Sequence, residues 1–451
     1  MKELSQVRFD ALAAYCRSPW TVLTSEEVLW YQAHDEAILI VVIRDRVDDD
    51  YAAMLLTRDL QDRYRWVEMT EFKQTADEAV VAAREKVEQV HMDLEKERVQ
   101  GDEKGKPIDF FTPVVLKERL HPHFVAMTTH EGYSPALELI QPMMRWYEDA
   151  DGNFVEQFQT TGFDTRLWEL YLFAALVEAG YALDRSQAIP DFQAQGLLGE
   201  LCVEATTINP SRDAQGNIVP TPPMDTTEQI MTFQREYMPI RFAGPLTAKL
   251  TKKYWERANV QGRPLVFAIQ DFHAPMAMTM SRAGLPIYLY GMDQDWKHEA
   301  DGKLVIVPRK VILHRWGAKE VPSGFFNLPE AENVSAVIAN ASATVSKFNR
   351  IGVMAGFGSK RVRMIRRGTA ANMDPNASVP IPFVQDVNVP DYNETWIEGM
   401  DVYHNPNAKY PIDPMMLPGA AHHRLRPDGQ VETLAPKWQP MSSNTLITVQ
   451  E

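Results

Sequence analysis

The sequence predicts an α/β protein with a layered core, an antiparallel α+β module before it and a β-rich region after it. Three observations support this fold class. Between residues 27 and 72, four short strand-like runs are separated by polar turns, which is typical of an antiparallel meander. Between residues 153 and 291, helical patterns alternate with short apolar strands, as in a layered α/β core. From residue 301 on, the apolar runs are again short and strand-like.

The chain has 451 residues, and a length prior of roughly 100–200 residues per domain favours two or three domains. We predict an N-terminal module over residues 1–150, an α/β core over 151–300 and a β-rich region with an irregular tail over 301–451. In the first region, an amphipathic helix near residues 7–17 precedes the meander, and a helix over residues 75–98 follows it because its apolar residues recur every three or four positions.

Composition and charge exclude several classes of protein. Apolar residues make up 45% of the chain, enough for a real core. The net charge of −15 argues against a protein that coats nucleic acid regardless of sequence, but it suits one that concentrates cations at an acidic site. Cys16 and Cys202 form no paired motif, which argues against a disulfide scaffold or a Cys-ligated zinc site. No signal peptide or membrane-length apolar run is visible, so we expect a cytoplasmic protein without a membrane partner.

Three acidic residues in the central region are candidate metal ligands. Glu169 lies inside a predicted helix over residues 164–179, Asp191 follows a proline, and Glu204 ends an apolar run. A glycine between Asp191 and Glu204 allows a turn, so two adjacent strands would hold these carboxylates side by side. A buried carboxylate such as Glu204 is costly unless it is compensated. Since Mg²⁺ is usually held by one or two carboxylates plus water and phosphate oxygens, we expect Mg²⁺ or Mn²⁺ here.

The segments around these acids read Phe-Asp-Thr-Arg-Leu-Trp-Glu at 163–169, Pro-Asp-Phe at 190–192 and Val-Glu-Ala-Thr at 203–206. In this order they resemble the restriction-endonuclease-like PD-(D/E)XK nuclease superfamily, over about residues 163–273. The resemblance implies an αβββαβ core and metal-dependent hydrolysis of phosphodiester bonds, in DNA rather than RNA, for repair or defence. It also implies that Asp191 and Glu204 are metal ligands and that Glu169 is a supporting ligand or orients water. The whole chain also resembles bacterial proteins of similar length, which implies no particular activity.

One position departs from the superfamily pattern, because Thr206 stands where a lysine would orient the attacking water and stabilise charge. We expect Lys252 or Lys253, on the helix after the third core strand, to supply this cation, and Lys249 to contact phosphates. The missing lysine leaves a second interpretation open, a catalytically lapsed relative that binds nucleic acid or protein. A hydrolase acting on another phosphoester or ester is a weaker third.

The densest basic cluster of this acidic chain is a second candidate contact with nucleic acid. Arg361 and Arg363 alternate as on one face of a strand. Such a face could meet the phosphate backbone or protect a solvated edge strand by charge. The cluster consists of Lys360, Arg361, Arg363, Arg366 and Arg367.

Histidines provide weaker candidates. Asp271 and His273 would follow the fourth core strand as accessory groups. The pairs His121–His123 and His422–His423 lack a second pair at a ligand-like spacing, so we favour surface or core positions for them. The sequence leaves the oligomeric state open, including a homo-oligomer.

Overall fold

The computed structural model describes residues 1–149 and 152–451, and its helices and strands confirm a mixed α/β protein. The N-terminal sheet has five strands, each antiparallel to its neighbours, so the predicted meander is confirmed. The elements of this region are β1 (Lys2–Glu3), α1 (Gln6–Ala13), β2 (Ser25–Ala33), β3 (Ile38–Asp45), β4 (Tyr51–Arg58), β5 (Tyr64–Met69), α2 (Ala76–Met92) and α3 (Leu94–Glu97).

Helix α2 covers one face of this sheet for reasons that are visible in the sequence. Thr75 caps the helix by accepting a hydrogen bond from the backbone N–H of Glu78, whose side chain accepts one from the backbone N–H of Thr75. Its residues Ala79, Ala83 and Val87 recur at four-residue spacing and are buried against the sheet. The N-terminal module therefore has a small apolar core of its own.

The central region contains the candidate site. Four helices come first: α4 (Pro122–Thr129), α5 (Ser134–Trp146), α6 (Phe154–Gln159) and α7 (Phe163–Glu178). The following elements are β6 (Ala182–Asp184), β7 (Phe192–Gly196), β8 (Gly199–Ile208), α8 (Thr227–Thr232), α9 (Met238–Leu250) and β9 (Leu265–Asp271). Strands β6, β7 and β8 are antiparallel, and β9 is parallel to β8. The order is thus one helix, three antiparallel strands, a helical segment and a parallel strand.

Some boundaries in this region differ from the prediction. The N-cap of α7 is Gly162, and Asp164 lies in its first turn. Strand β6 was not predicted, since it has three residues and none of them is fully buried. Asp191 immediately precedes β7, because the strand begins at Phe192.

The C-terminal region extends the central sheet. Its helices are α10 (Met278–Ser281), α11 (Gly284–Tyr290) and α12 (Val345–Met354). Its strands are β10 (Met292–His298), β11 (Leu304–Lys310), β12 (Leu313–Trp316), β13 (Lys319–Pro322), β14 (Ala336–Asn340), β15 (Val362–Ala370), β16 (Ile381–Asp386), β17 (Met400–His404), β18 (Ala421–Leu425), β19 (Val431–Leu434) and β20 (Pro440–Val449). The central sheet has eight strands in the order β19-β18-β17-β14-β9-β8-β7-β6. It therefore crosses the predicted boundary at residue 300, whereas the predicted boundary at 150 and 151 lies outside the described residues.

Helices cover both faces of the central sheet around β8. The two cores that they form show which way the side chains of β8 point. Val203 and Ala205 belong to the core that contains α7, whereas Cys202 belongs to the core that contains α9. Because side chains alternate along a strand, Glu204 faces the α9 side. Cys16 and Cys202 are free, as predicted. None of the helices that the structure describes is long and apolar enough to cross a membrane.

Candidate functional site

Asp191 and Glu204 lie side by side at one end of the β7–β8 hairpin. The register pairs Phe192 with Val203, which brings the preceding Asp191 opposite Glu204. The backbone N–H of Asp191 donates to Oε2 of Glu204 at 3.3 Å, and the backbone N–H of Ala205 donates to Oδ2 of Asp191 at 2.7 Å. Glu204 is only 5% exposed. The predicted juxtaposition of these two carboxylates is therefore present.

Lys249 provides the positive charge of the site. It lies in the last turn of α9, and its Nζ is 2.5 Å from Oε1 of Glu204. The prediction that Lys252 or Lys253 reaches the site is wrong, because α9 ends at Leu250. Lys253 adopts a left-handed backbone (φ 48°) and its Nζ pairs with Glu330 at 2.6 Å, while Lys252 is exposed. Lys249 pairs with Glu204 in this structure, and its contact with phosphates stays a prediction.

Thr206 lies two residues beyond Glu204 on the same face of β8 and is partly buried. Its hydroxyl group carries no charge, so it cannot replace the lysine expected at this position. Lys249 reaches the same carboxylate from the helix that covers this face. The positive charge beside Glu204 therefore comes from helix α9 and not from strand β8.

Glu169 is held on α7 by two neighbours. Nη1 of Arg166 lies 2.9 Å from its Oε2, and the hydroxyl group of Tyr147 donates to the same oxygen at 2.9 Å. Both hydrogen bonds fix the position of this buried carboxylate. Arg166 is therefore the partner of Glu169, whereas the partner of Glu204 is Lys249.

The surroundings of Asp191 raise its pKa. Burial, together with the negative charges of Glu169 and Glu204, raises the pKa of Asp191 well above its usual range, and Lys249 offsets only part of this effect. Burial and the charge of Glu204 also raise the pKa of Tyr254, whose ring lies near Lys249. The ionised form of Asp191 is thus poorly compensated in the metal-free protein, and a bound cation would stabilise that form.

The predicted basic cluster is divided by the fold. Arg366 is fully buried, and its Nη1 pairs with Glu398 at 2.7 Å, so the prediction that it contacts nucleic acid is wrong. Strand β15 lies between β16 and β20, which also excludes the edge-strand interpretation. The other members remain at or near the surface: Lys360 and Arg367 are exposed, Arg361 pairs with Glu131, and Arg363 bonds backbone carbonyl groups.

Asp271 and His273 form a separate buried pair. Nδ1 of His273 lies 2.8 Å from Oδ1 of Asp271. The strand register pairs Glu204 with Phe267 and Ile208 with Asp271, so Asp271 lies four residues along the sheet from the level of Glu204, a distance of about 13 Å. These residues therefore do not join the carboxylate site.

A second set of metal-binding side chains comes together at the start of α7. His121, His123 and Asp164 each offer a ligand atom, and these atoms lie within 4.8 Å of one another. Within residues 1–149 and 152–451 it is the one set of three such side chains that meets this distance. Two imidazoles and a carboxylate suit a borderline cation such as Zn²⁺. The sequence does not indicate this set, because Asp164 is distant from both histidines in the chain.

Comparison with protein-family models, with curated proteins and with solved structures finds no match to this chain. The functional argument therefore depends on the geometry of the site and on the chemistry of its residues.

Proposed function

We propose that this chain is a Mg²⁺-dependent nuclease, able to use Mn²⁺, with a restriction-endonuclease-like core and its active site at Asp191 and Glu204. The observation that carries this proposal is that two adjacent carboxylates lie beside Lys249, which extends from helix α9. The order α7, β6, β7, β8, the helical segment of α8 and α9, and then β9 supports it, because it follows the αβββαβ order of that superfamily. DNA is the proposed substrate.

The donor set fits a hard divalent cation. Asp191 and Glu204 would be its protein ligands, with water and a phosphate oxygen completing the coordination. When bound, the ion would polarise the phosphate and lower the pKa of a bound water molecule. Lys249 would orient the attacking water or stabilise the charge that develops on the phosphate. Glu169 is fixed by Arg166 and Tyr147 and would act as a supporting ligand or orient water.

A specific observation favours a second candidate, a catalytically lapsed module that binds nucleic acid or protein. Lys249 already compensates Glu204, and Arg166 already compensates Glu169, so two of the three acids are stable without a metal ion. Asp191 favours the nuclease instead, because its carboxylate forms no ion pair with any described basic side chain and a divalent cation would supply that partner.

Cleavage assays separate the two candidates. Purified protein is incubated with supercoiled plasmid, DNA oligonucleotides and RNA, in Mg²⁺, Mn²⁺ or chelator. We expect DNA cleavage that requires metal and falls by about 100-fold or more in Asp191→Asn and in Glu204→Gln. Asp225→Asn, which changes an exposed carboxylate, is the matched control. Cleavage that survives both site substitutions contradicts the proposal, and salt-sensitive binding without cleavage supports the lapsed module.

A further inference from the structure

A cavity of about 730 Å³ shares one residue with the carboxylate site. Tyr147 lines this cavity, and its hydroxyl group donates to Glu169 at 2.9 Å. The volume lies within the range of roughly 300–1,000 Å³ that is usual for ligand sites. A ligand in the cavity would therefore lie about one side chain away from a residue of the proposed active site.

The cavity is locally basic in an acidic protein. Among the described residues, six Lys or Arg side chains line it against three carboxylates, whereas the whole chain has a net charge of −15. Arg17 and Arg63 are already paired with acidic residues. Lys104 and Lys106 are exposed, and the structure shows no ion pair between either ammonium group and any described residue. These two lysines are available for an anionic ligand.

Two buried hydrogen-bond donors of the lining have neither a hydrogen-bond partner nor an ion-pair partner among residues 1–149 and 152–451. They are Nη1 of Arg185 and Nε1 of Trp146. Arg185 is 8% exposed, its guanidinium group lies 3.9 Å from the ring centroid of Tyr147, and its Nε donates to the carbonyl oxygen of Glu148. Leaving a buried donor without an acceptor costs free energy. Acceptor atoms of a bound ligand would remove that cost.

Aromatic side chains complete the lining: Tyr15, Trp146, Tyr147, Phe173 and Tyr181. Aromatic rings among cationic side chains suit a ligand that is both planar and anionic. Proteins bind single strands in this way, with bases stacked on aromatic rings and phosphates held by basic residues. The shared chemistry is that of a nucleoside phosphate.

We propose that this cavity binds one unpaired nucleotide of the DNA strand that is cleaved. The base would pack against the aromatic rings, and the phosphate would meet Lys104, Lys106 and Arg185. This inference rests on the proposed function and names its substrate class, DNA with a single-stranded segment or an unpaired end. A nucleotide held beyond Tyr147 would place a neighbouring phosphodiester toward Asp191 and Glu204. A free mononucleotide has the same chemistry and is the other possible source.

Binding without cleavage tests this inference. In chelator, anisotropy of a labelled single strand of about 12 nucleotides is compared with that of a blunt duplex, and dTMP binding is measured by calorimetry. The variant Lys104→Glu/Lys106→Glu changes exposed side chains, so it should fold normally, as circular dichroism can verify. Lys303→Glu/Lys437→Glu is the matched control, since both lysines are exposed and lie outside the lining. We expect the cavity variant to weaken single-strand binding by about 10-fold or more and the control to change it far less.

The outcomes separate the two proposals. Equal single-strand affinity in the cavity variant and the control overturns the cavity assignment, even if the protein cleaves DNA. Affinity that depends on the cavity lysines, without cleavage in Mg²⁺, supports the cavity and overturns the nuclease. Binding of dTMP as tight as that of the oligonucleotide overturns the assignment to a DNA strand. Tighter binding of the blunt duplex than of the single strand also overturns the assignment to an unpaired nucleotide.

Discussion

Nζ of Lys249 lies 2.5 Å from Oε1 of Glu204, in an ion pair that joins α9 to β8. The side chains are 18% and 6% exposed, so the pair is largely buried. Each of these charges stabilises the other, because an unpaired buried charge raises the free energy of the folded state. A divalent cation at Asp191 and Glu204 would compete with Lys249 for the same carboxylate, and this competition links stability, pH and metal binding.

The ion pair predicts that Lys249→Met strongly destabilises the metal-free protein. The substitution leaves Glu204 buried without its cation, so we expect the free energy of unfolding to fall by about 3 kcal/mol. The double variant Lys249→Met/Glu204→Gln should recover most of this loss, because it removes both charges. Urea unfolding in chelator measures the free energy of unfolding of each variant. Lys252→Met is the control and should stay within about 0.5 kcal/mol of the wild type. A Lys249→Met protein as stable as this control would show that the ion pair does not stabilise the fold.

The raised pKa of Asp191 predicts that it destabilises the metal-free protein as the pH rises. Above the ordinary pKa of 3.8 the unfolded chain has lost this proton while the folded chain keeps it. The folded state then binds more protons, so the free energy of unfolding decreases from pH 3.8 upward until the raised pKa is passed. Asp191→Asn removes this decrease.

Urea unfolding in chelator, at a series of pH values, compares Asp191→Asn with the wild type. We expect the variant to gain stability relative to the wild type as the pH rises, and the exposed-site control Asp225→Asn to show no such gain. A difference between variant and wild type that is constant with pH, or that shrinks as the pH rises, would mean that the pKa of Asp191 is not raised.

The burial of Arg366 predicts a structural role. It pairs with Glu398 at 2.7 Å and lies near Glu394, so Arg366→Met would leave buried carboxylates uncompensated. We expect a loss of about 3–5 kcal/mol in the free energy of unfolding. Arg367→Met, one residue along the same strand but exposed, should change stability by about 0.5 kcal/mol or less. Equal stability of the two variants in urea unfolding would contradict a structural role for Arg366 and would support its predicted place in the surface cluster.

The sequence was most informative where the contacts are local. Asp191 immediately precedes the first strand of a hairpin, and Glu204 lies on its second strand. Their spacing and the glycine between them were therefore enough to predict that they meet. The antiparallel N-terminal sheet was predictable for the same reason, since its neighbouring strands follow each other in the chain.

Contacts between distant segments were not predictable from spacing. The choice of Lys249 over Lys252 and Lys253 depends on where α9 ends and which way its last turn faces. One signal was available: Leu246 belongs to the buried stripe of α9, and Lys249 follows it by three residues on the same helix face. The partners of Arg366 are 28 and 32 residues away, and no alternating pattern along its own strand reveals them. The extension of the central sheet beyond residue 300 likewise depends on strand pairing between distant segments.

Mn²⁺ binding tests the central claim most directly, the claim that Asp191 and Glu204 form a divalent-metal site. Calorimetry is performed in a His121→Ala/His123→Ala background, which removes the histidine set at the start of α7 as a competing site. We predict one Mn²⁺ site whose affinity falls by about 100-fold or more when Asp191→Asn or Glu204→Gln is added, and which is unchanged by Asp225→Asn. Absence of Mn²⁺ binding in this background, or affinity that survives both substitutions, would contradict the account.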